Sequence, residues 1–254
     1  MTDRDLLDLA FSLARQAGAV ILAVRERGFE TLQKQDSSPV TEADHQAEAL
    51  IAAGLREATP DIPVVAEEEM AAGHIPREAS SFWLVDPLDG TKEFAALRDD
   101  FAVCIGLVRH GKPVLGVVGG PARGELFGGI VGVGAWKRDV AGERAIAART
   151  VPAEGLTVIA SRSSAQHPRV APFLAGRAVA HTVNMGSALK FCRLAEGVAD
   201  LYPRFGRTME WDTAAAQAVL EAAGGSVRDA DTGEILGYGK PGFENPHFIA
   251  TGQV

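Results

Sequence analysis

The chain has little of what several large protein classes require. Only two cysteines, Cys104 and Cys192, occur in 254 residues. That is too few for a disulfide framework, and no leader pattern precedes the first helical stretch, so a reducing, cytoplasmic setting is expected, with peripheral contact at the inner membrane left open. The six histidines form no His-x-x-x-His pair and the cysteines no Cys-x-x-Cys, which argues against zinc. Positive charge is also short: 25 Lys and Arg stand against 33 Asp and Glu, for a net charge of −8. A broad basic face for polymeric nucleic acid or anionic membrane is therefore not expected. No uninterrupted apolar run reaches the ~18 residues of a membrane span, because the longest, around 114–119 and 126–135, are broken by glycines. No integral membrane segment is expected. There is no Gly-x-x-x-x-Gly-Lys-[Ser/Thr] loop and no Gly-x-Ser-x-Gly elbow, which removes P-loop and α/β-hydrolase mechanisms. Internal repeats and low-complexity tracts are missing too, so solenoid architectures drop out.

What is present is a globular composition, 46% hydrophobic, enough for one large core or two modest ones. Leu6, Leu9, Leu13, Ala17, Val20, Ile21 and Val24 recur at helical spacing and predict a helix over 4–25, ending near Gly28. Thr41 and Asp44 open a second helix, with the stripe Ala47, Leu50, Ile51 and Leu55, that exits at Pro60. The period then changes, and 62–66, 82–86, 101–109, 114–118 and 126–131 read as strands. The glycine-rich segment 116–134 lacks a dinucleotide fingerprint and reads as hairpin turns and strand glycines. The second half alternates: strands at 156–160, 178–183, 198–202 and 247–251, with helices near 168–175, 187–196 and 212–223. The stretch 141–155, with Pro152, is the candidate linker. It would divide an N-terminal α+β domain, 1–150, from a C-terminal α/β domain, 151–254.

Five acidic or capped segments carry candidate chemistry, each with a plain structural alternative. In Trp83-Leu-Val-Asp-Pro-Leu-Asp-Gly-Thr-Lys-Glu-Phe94, an apolar run ends in a tight turn with Asp86 and Asp89 three positions apart. Two carboxylates and the Leu88 carbonyl at one spot are hard oxygen donors suited to Mg²⁺ or Mn²⁺, while an ordinary Asp-Gly hairpin turn explains the same residues. Glu67-Glu68-Glu69 follows a buried strand directly; it is either a solvated acidic loop or a carboxylate delivered to a strand carboxyl end. Thr41-Glu42-Ala43-Asp44 fits a capping box, which also leaves Asp44 placed to accept a proton. Asp212 reads as the N-cap of the helix after Trp211, and the long approach Gly-Arg-Thr-Met-Glu suggests that it projects into a cleft. Gly186 and Ser187 open a helix whose start, with Lys190, is either an anion site or a capped surface helix.

Taken together, these segments resemble the inositol monophosphatase superfamily of metal-dependent, lithium-sensitive phosphatases. The shared elements are the Glu-Glu after a strand, the Asp-Pro-[Ile/Leu]-Asp-Gly-Thr turn and the Trp-Asp helix start, in that order, over the chain from Lys34 onward. Asp-Gly-Thr-Lys-Glu-Phe (89–94), Gly-Ser-Ala-Leu-Lys-Phe-Cys (186–192), Leu-Tyr-Pro-Arg-Phe-Gly (201–206) and Ser-Pro-Val-Thr-Glu-Ala-Asp (38–44) are similar to its 3′(2′),5′-bisphosphate nucleotidase branch, CysQ. Ala66, where the family often has Gly or Ser, and Ala216, where it commonly has Gly, depart from the pattern without removing a ligand.

The resemblance implies an α/β fold, a layered α-β-α-β-α sandwich of the inositol monophosphatase and sugar phosphatase type. It makes Glu67, Asp86 and the Leu88 carbonyl ligands of one Mg²⁺, and Asp86, Asp89 and Asp212 ligands of a second, with a third, looser ion near Glu67 and Mn²⁺ as a substitute. Thr91, supported by Asp44, and Glu67 are the implied catalytic residues. Leu88, Asp89, Gly90, Thr91, Ser187, Lys190, Arg204 and Asp212 are the implied substrate contacts, with Arg193 or Arg207 as further cations. The implied substrate is a small phosphorylated nucleotide: adenosine 3′,5′-bisphosphate (PAP), hydrolysed at its 3′-phosphate to AMP in sulfur assimilation, and its sulfated precursor PAPS. An inositol or sugar-bisphosphate phosphatase using the same metal centre and a catalytically silent Mg²⁺ or nucleotide sensor are the alternatives. A monomer or a homodimer is expected.

Overall fold

The computed structural model describes residues 1–33, 39–74, 79–162 and 167–253. Lys34 and Ser38, which belong to the resembling stretch, lie outside the described residues. The first helix, α1 (Asp3–Arg27), starts in a capping box between Thr2 and Asp5 and buries Leu6, Phe11, Leu13, Ile21 and Val24 along one stripe. By length and composition alone α1 could cross a membrane, a candidate that counting uninterrupted apolar runs overlooks. Here its stripe is packed on protein instead. A short hairpin pairs β1 (Thr31–Gln33) with β2 (Pro39–Thr41), which the sequence reading missed. Then α2 (Glu42–Ala58) lies beside α1, with Ala43, Ala47, Ile51 and Leu55 buried.

Both helices cover one face of a seven-stranded sheet. Its members are β3 (Val64–Ala66), followed at once by the short α3 (Glu67–Ala71), β4 (Ser81–Asp89), followed by α4 (Thr91–Ala95), and then β5 (Ala102–Arg109), β6 (Lys112–Gly120), β7 (Glu125–Ile130), β8 (Gly134–Asp139) and β9 (Gly142–Ile146). They neighbour one another in chain order, β3 and β4 parallel and the rest antiparallel. Two readings need correction here. The 141–155 stretch is not all linker, since β9 occupies its first residues as the edge strand. Nor are 82–86 and 101–109 joined by a tight hairpin, because α4 and a loop lie between the paired strands.

Beyond residue 150 come β10 (Leu156–Ala160), α5 (Val170–Leu174), β11 (Val179–Asn184), α6 (Leu189–Ala195), β12 (Leu201–Arg204), α7 (Ala214–Ala222), β13 (Ser226–Asp229) and β14 (Phe248–Thr251). They form a second sheet in the order β11-β10-β12-β14-β13. Because β11 and β12 flank β10 on opposite sides in parallel, right-handed crossovers place α5 and α6 on opposite faces of this sheet. The layers therefore run helix, sheet, helix, sheet, helix. Strand 198–202 of the sequence reading begins later, at Leu201, and β8 and β13 were not foreseen.

The middle layer explains the strand glycines. Gly106 pairs across the strands with Gly116, and Gly116 with Gly129, making a row without side chains over β5, β6 and β7. The backbone of α7 lies directly on that row: a β-carbon at Gly116 would sit 2.3 Å from the Ala215 carbonyl oxygen, and one at Gly106 2.7 Å from the Ala215 nitrogen. Small residues on α7, Ala214, Ala215 and Ala216, are all buried against it. This contact joins the two halves and fixes the height of the turn that precedes α7, which carries Asp212.

Candidate active site

The first carboxylates come from the end of β4. Asp86 pairs with Cys104 and Asp89 with Ala102, and the register slips between them. Pro87 has no N–H to donate to the ladder, and the Leu88 amide turns back onto Asp86 Oδ1 at 2.9 Å. Gly90 then takes the left-handed conformation, φ +93°, with the Asp100 carbonyl packed where a side chain would project. That turn starts α4 at Thr91, whose hydroxyl lies 3.1 Å from both Asp44 Oδ1 and the Leu88 carbonyl oxygen.

Asp44 reaches Thr91 from α2. Its Oδ2 accepts from the backbone amide of Thr41 at 2.8 Å and from the Thr41 hydroxyl at 2.7 Å, the foreseen capping box, while Oδ1 is directed at Thr91. Capping and contact with the acidic turn are therefore simultaneous. Glu67 opens α3 at the end of β3 and lines the cleft, whereas Glu68 is buried and Glu69 holds Arg56 in a two-pronged ion pair at 2.8 and 2.6 Å.

Asp212 is not an N-cap, contrary to the sequence reading. It closes a 3₁₀ turn, Glu210–Asp212, and its Oδ2 accepts from the Met209 amide at 2.8 Å, one step before α7 begins. The turn is held from behind. Fully buried Glu210 accepts from the amides of Gly239 and Lys240 at 2.7 and 2.9 Å, and the Asn245 amide donates to the Met209 carbonyl at 2.7 Å. Ser187 is likewise outside its helix, at φ +54°, so Ala188 is the residue preceding α6. The Ala188 amide donates to Asp89 Oδ2, and Lys190 Nζ donates to the Ser187 carbonyl.

These groups surround a cleft of about 310 Å³ between the two sheets. Of the sequence-derived residues, Glu67, Asp89, Gly90, Thr91, Ser187, Lys190, Arg204 and Asp212 line it. Asp86, Leu88 and Asp44 are buried behind the lining, each at most 2% exposed. Arg193 does not line the cleft: it is committed to Glu125 and Glu196 beside Phe127. Arg207 is an exposed partner of Glu244. Gly186, foreseen beside Ser187, lines the cleft as well; Ser161, Tyr202, Thr208, Thr213 and Phe248 also line it and were not foreseen. Ser161 follows the carboxyl end of β10, a position from which it could have been proposed.

The electrostatics follow from burying like charges. Burial, then the charges of Glu67, Asp89 and Asp212, holds the Asp86 carboxyl well above the usual range. Burial also raises Asp89, with Lys190 opposing it, and burial together with Asp89 and Glu67 pushes Asp212 up to about 8. Lys190 is pushed down to about 8 by its own burial, with Asp89 opposing that shift. Among the described residues, no three His, Cys, Asp or Glu side chains stand already gathered into a ligand shell. The carboxylates of Asp86, Asp89 and Asp212 each accept a hydrogen bond from a backbone amide. The donor set, hard oxygens carrying a surplus of buried negative charge, fits small divalent cations.

The inositol monophosphatase family model matches residues 3–251. The chain belongs to the inositol monophosphatase family. Within it, the chain is 43% identical over 246 residues to a protein of Escherichia coli O6:H1 named 3′(2′),5′-bisphosphate nucleotidase CysQ, covering 96% of this chain and 98% of that one. The same name belongs to a Salmonella typhimurium protein that is 43% identical over 249 residues, covering 97% and 99%. Among solved family structures, CysQ from Bacteroides thetaiotaomicron superposes with a TM-score of 0.82 at 32% identity, covering 98% of each chain. An inositol monophosphatase from Anabaena superposes with a TM-score of 0.78 at 28% identity, covering 98% of this chain and 91% of that one.

Proposed function

We propose that this chain is a 3′(2′),5′-bisphosphate nucleotidase, which adds water across the 3′-phosphoester of adenosine 3′,5′-bisphosphate to release AMP and inorganic phosphate, and which also accepts the 5′-sulfated precursor. The reading is supported by the family match, by two relatives of that name at 43% identity, and by the chemistry of the cleft. The observation that carries it is the meeting in one cleft of the acidic residues Glu67, Asp89 and Asp212 with the cations Lys190 and Arg204. Acids alone would repel any phosphate. Two cations beside a metal-suited acidic cluster suit a substrate with a second anionic group, which an inositol monophosphate lacks.

In this reading Glu67, Asp86 and the Leu88 carbonyl would hold one Mg²⁺, and Asp86, Asp89 and Asp212 a second, in a chain divided functionally into 1–150 and 151–254. When bound, the cations supply Lewis acidity that offsets phosphate charge and acidifies water. The chain's own groups position the reaction. The Thr91 hydroxyl, donating to Asp44 Oδ1, keeps a lone pair for the proton of the attacking water, and Asp44 is the final acceptor. Asp44 can take that role because its other oxygen is fixed by Thr41. The amides of Gly90 and Thr91 hold phosphate oxygens at the start of α4. Lys190 and Arg204, which line the same cleft, would hold the nonscissile 5′-group.

Phosphate release from adenosine 3′,5′-bisphosphate, its 5′-sulfated analogue and inositol 1-phosphate, each with Mg²⁺ and with chelator, tests the proposal. Turnover confined to the nucleotides and to Mg²⁺ is expected. Preference for the inositol ester would move the assignment to the neighbouring branch, and no turnover on any of the three would favour a silent sensor.

A further inference from the structure

Glu48 is a buried carboxylate, 4% exposed, that the chemistry above does not use. It sits one helical turn after Asp44 on α2, so the two side chains leave the same face. Its neighbours on that stripe, Ala47, Ile51 and Ala52, are apolar, and a carboxylate there is costly unless its oxygens are bonded. They are: Glu48 Oε2 accepts from the Glu68 amide at 2.7 Å, and Oε1 accepts from the Glu69 amide at 2.8 Å.

Those amides are the open donors at the start of α3. The residue preceding that helix is Ala66, which has no side-chain oxygen to cap them. Glu48 therefore serves as the cap from a different helix, and Arg56, two turns further along α2, grips Glu69. The backbone on which Glu67 is mounted is thereby fixed to α2, which also presents Asp44 to Thr91.

We infer that Glu48 is a positioning residue: by clamping the first amides of α3 it sets the direction of Glu67 and registers it against the Asp44–Thr91 pair. This rests on the reading of Glu67 as a metal ligand. Glu48 touches neither the cation nor the substrate, so its removal acts on metal affinity through Glu67. Loss of such outer support typically costs 10- to 100-fold in metal affinity.

Calorimetric titration of Mn²⁺ into the whole protein, its E48Q and E67Q variants and the double variant tests the role without relying on turnover. In E48Q one acceptor becomes an amide NH₂ facing a backbone N–H. Mn²⁺ binding should weaken about tenfold or more in E48Q, and the double variant should bind no more weakly than E67Q alone. Wild-type affinity in E48Q, or losses that multiply in the double variant, would overturn the role. If E48Q does not fold, E48D keeps the charge but shortens the reach by one methylene; about tenfold weaker binding supports the clamp, and unchanged binding removes it. Should E67Q itself bind Mn²⁺ like the parent, the metal reading falls and the positioning role falls with it. A weakened E67Q beside a normal E48Q removes Glu48 alone.

Discussion

Across 47 residues of chain, the Thr91 hydroxyl donates to the Asp44 carboxylate at 3.1 Å, joining the start of α4 to the start of α2. Each partner is also held locally, Asp44 by its own cap and Thr91 beside the Leu88 carbonyl. In the proposed proton relay, two such anchored groups would need no reorganisation during the reaction.

The first expectation concerns that pair. Thr91→Ala or Asp44→Asn should lower kcat on the bisphosphate by about 10²- to 10⁴-fold at saturating Mg²⁺, the usual share of general-base assistance. The double variant should be little worse than either single, because the two act as one unit. Steady-state phosphate release checks this. Independent, multiplying losses would separate the residues into different roles.

A second expectation concerns substrate discrimination. Lys190 is 4% exposed, lies over the Tyr202 ring at 5.1 Å and lines the cleft. Lys190→Ala should raise KM for adenosine 3′,5′-bisphosphate more than for adenosine 3′-monophosphate, since only the former carries the second phosphate. Equal losses on the two esters would count against a 5′-phosphate contact.

The third is a packing effect. Gly116→Ala would place a methyl 2.3 Å from the Ala215 carbonyl oxygen, where backbone rather than a flexible side chain must yield. A loss of about 1–3 kcal/mol in unfolding free energy is expected, together with reduced turnover as α7 lifts the Asp212 turn. Urea unfolding with an unchanged slope measures the first part. A Gly116→Ala protein as stable as its parent would mean that α7 does not rest on the glycine row.

A fourth expectation concerns pH in the metal-free protein. Burial, opposed by the two backbone hydrogen bonds and aided by the charges of Glu68 and Glu69, pushes Glu48 up from 4.5 to about 7. A raised carboxyl is favoured in its protonated form when folded. Its contribution to stability is therefore fully present below about pH 4.5 and is lost as pH rises through about 7. Asp86, Asp89 and Asp212 shift in the same direction, so the informative quantity is the difference between the parent and Glu48→Gln. The parent should lose more stability than the variant between those two pH values. Parallel pH profiles would show that Glu48 does not titrate in this window.

Much of this architecture was legible from the chain. The helices of the first half follow from 3.6-residue periodicity, and the buried strands β4 and β5 from unbroken apolar runs, since both their faces are covered. Asp86, Asp89 and Glu67 were readable because each ends such a run, where a strand delivers its last side chains to a common edge. The missed strands fail that test: β9 is almost wholly exposed, and β8 mixes Gly, Lys, Arg and Asp with two apolar residues. Tertiary pairing, not local pattern, makes them strands.

Other features needed the fold itself. The row Gly106, Gly116 and Gly129 is invisible until strand register is known, because the three lie far apart in sequence. Arg193 carries the right charge for a phosphate contact, but charge alone does not reveal that Glu125 and Glu196 already hold it. Asp212 looked like an N-cap because an acid before an Ala-rich run usually is one. It lines the cleft, as its approach suggested, but from a 3₁₀ turn in which Glu210 is anchored by the 239–240 amides.

The central claim is that Glu67, Asp86, Asp89 and Asp212 hold divalent cations that the reaction requires. Phosphate release from adenosine 3′,5′-bisphosphate, titrated with Mg²⁺ after chelation and repeated with Asp89→Asn, tests it most directly. The account predicts no turnover in chelator, full recovery on adding Mg²⁺, and a folded Asp89→Asn protein that stays inactive at every Mg²⁺ concentration. Turnover that persists in chelator, or an Asp89→Asn enzyme working at the parent rate, would contradict it.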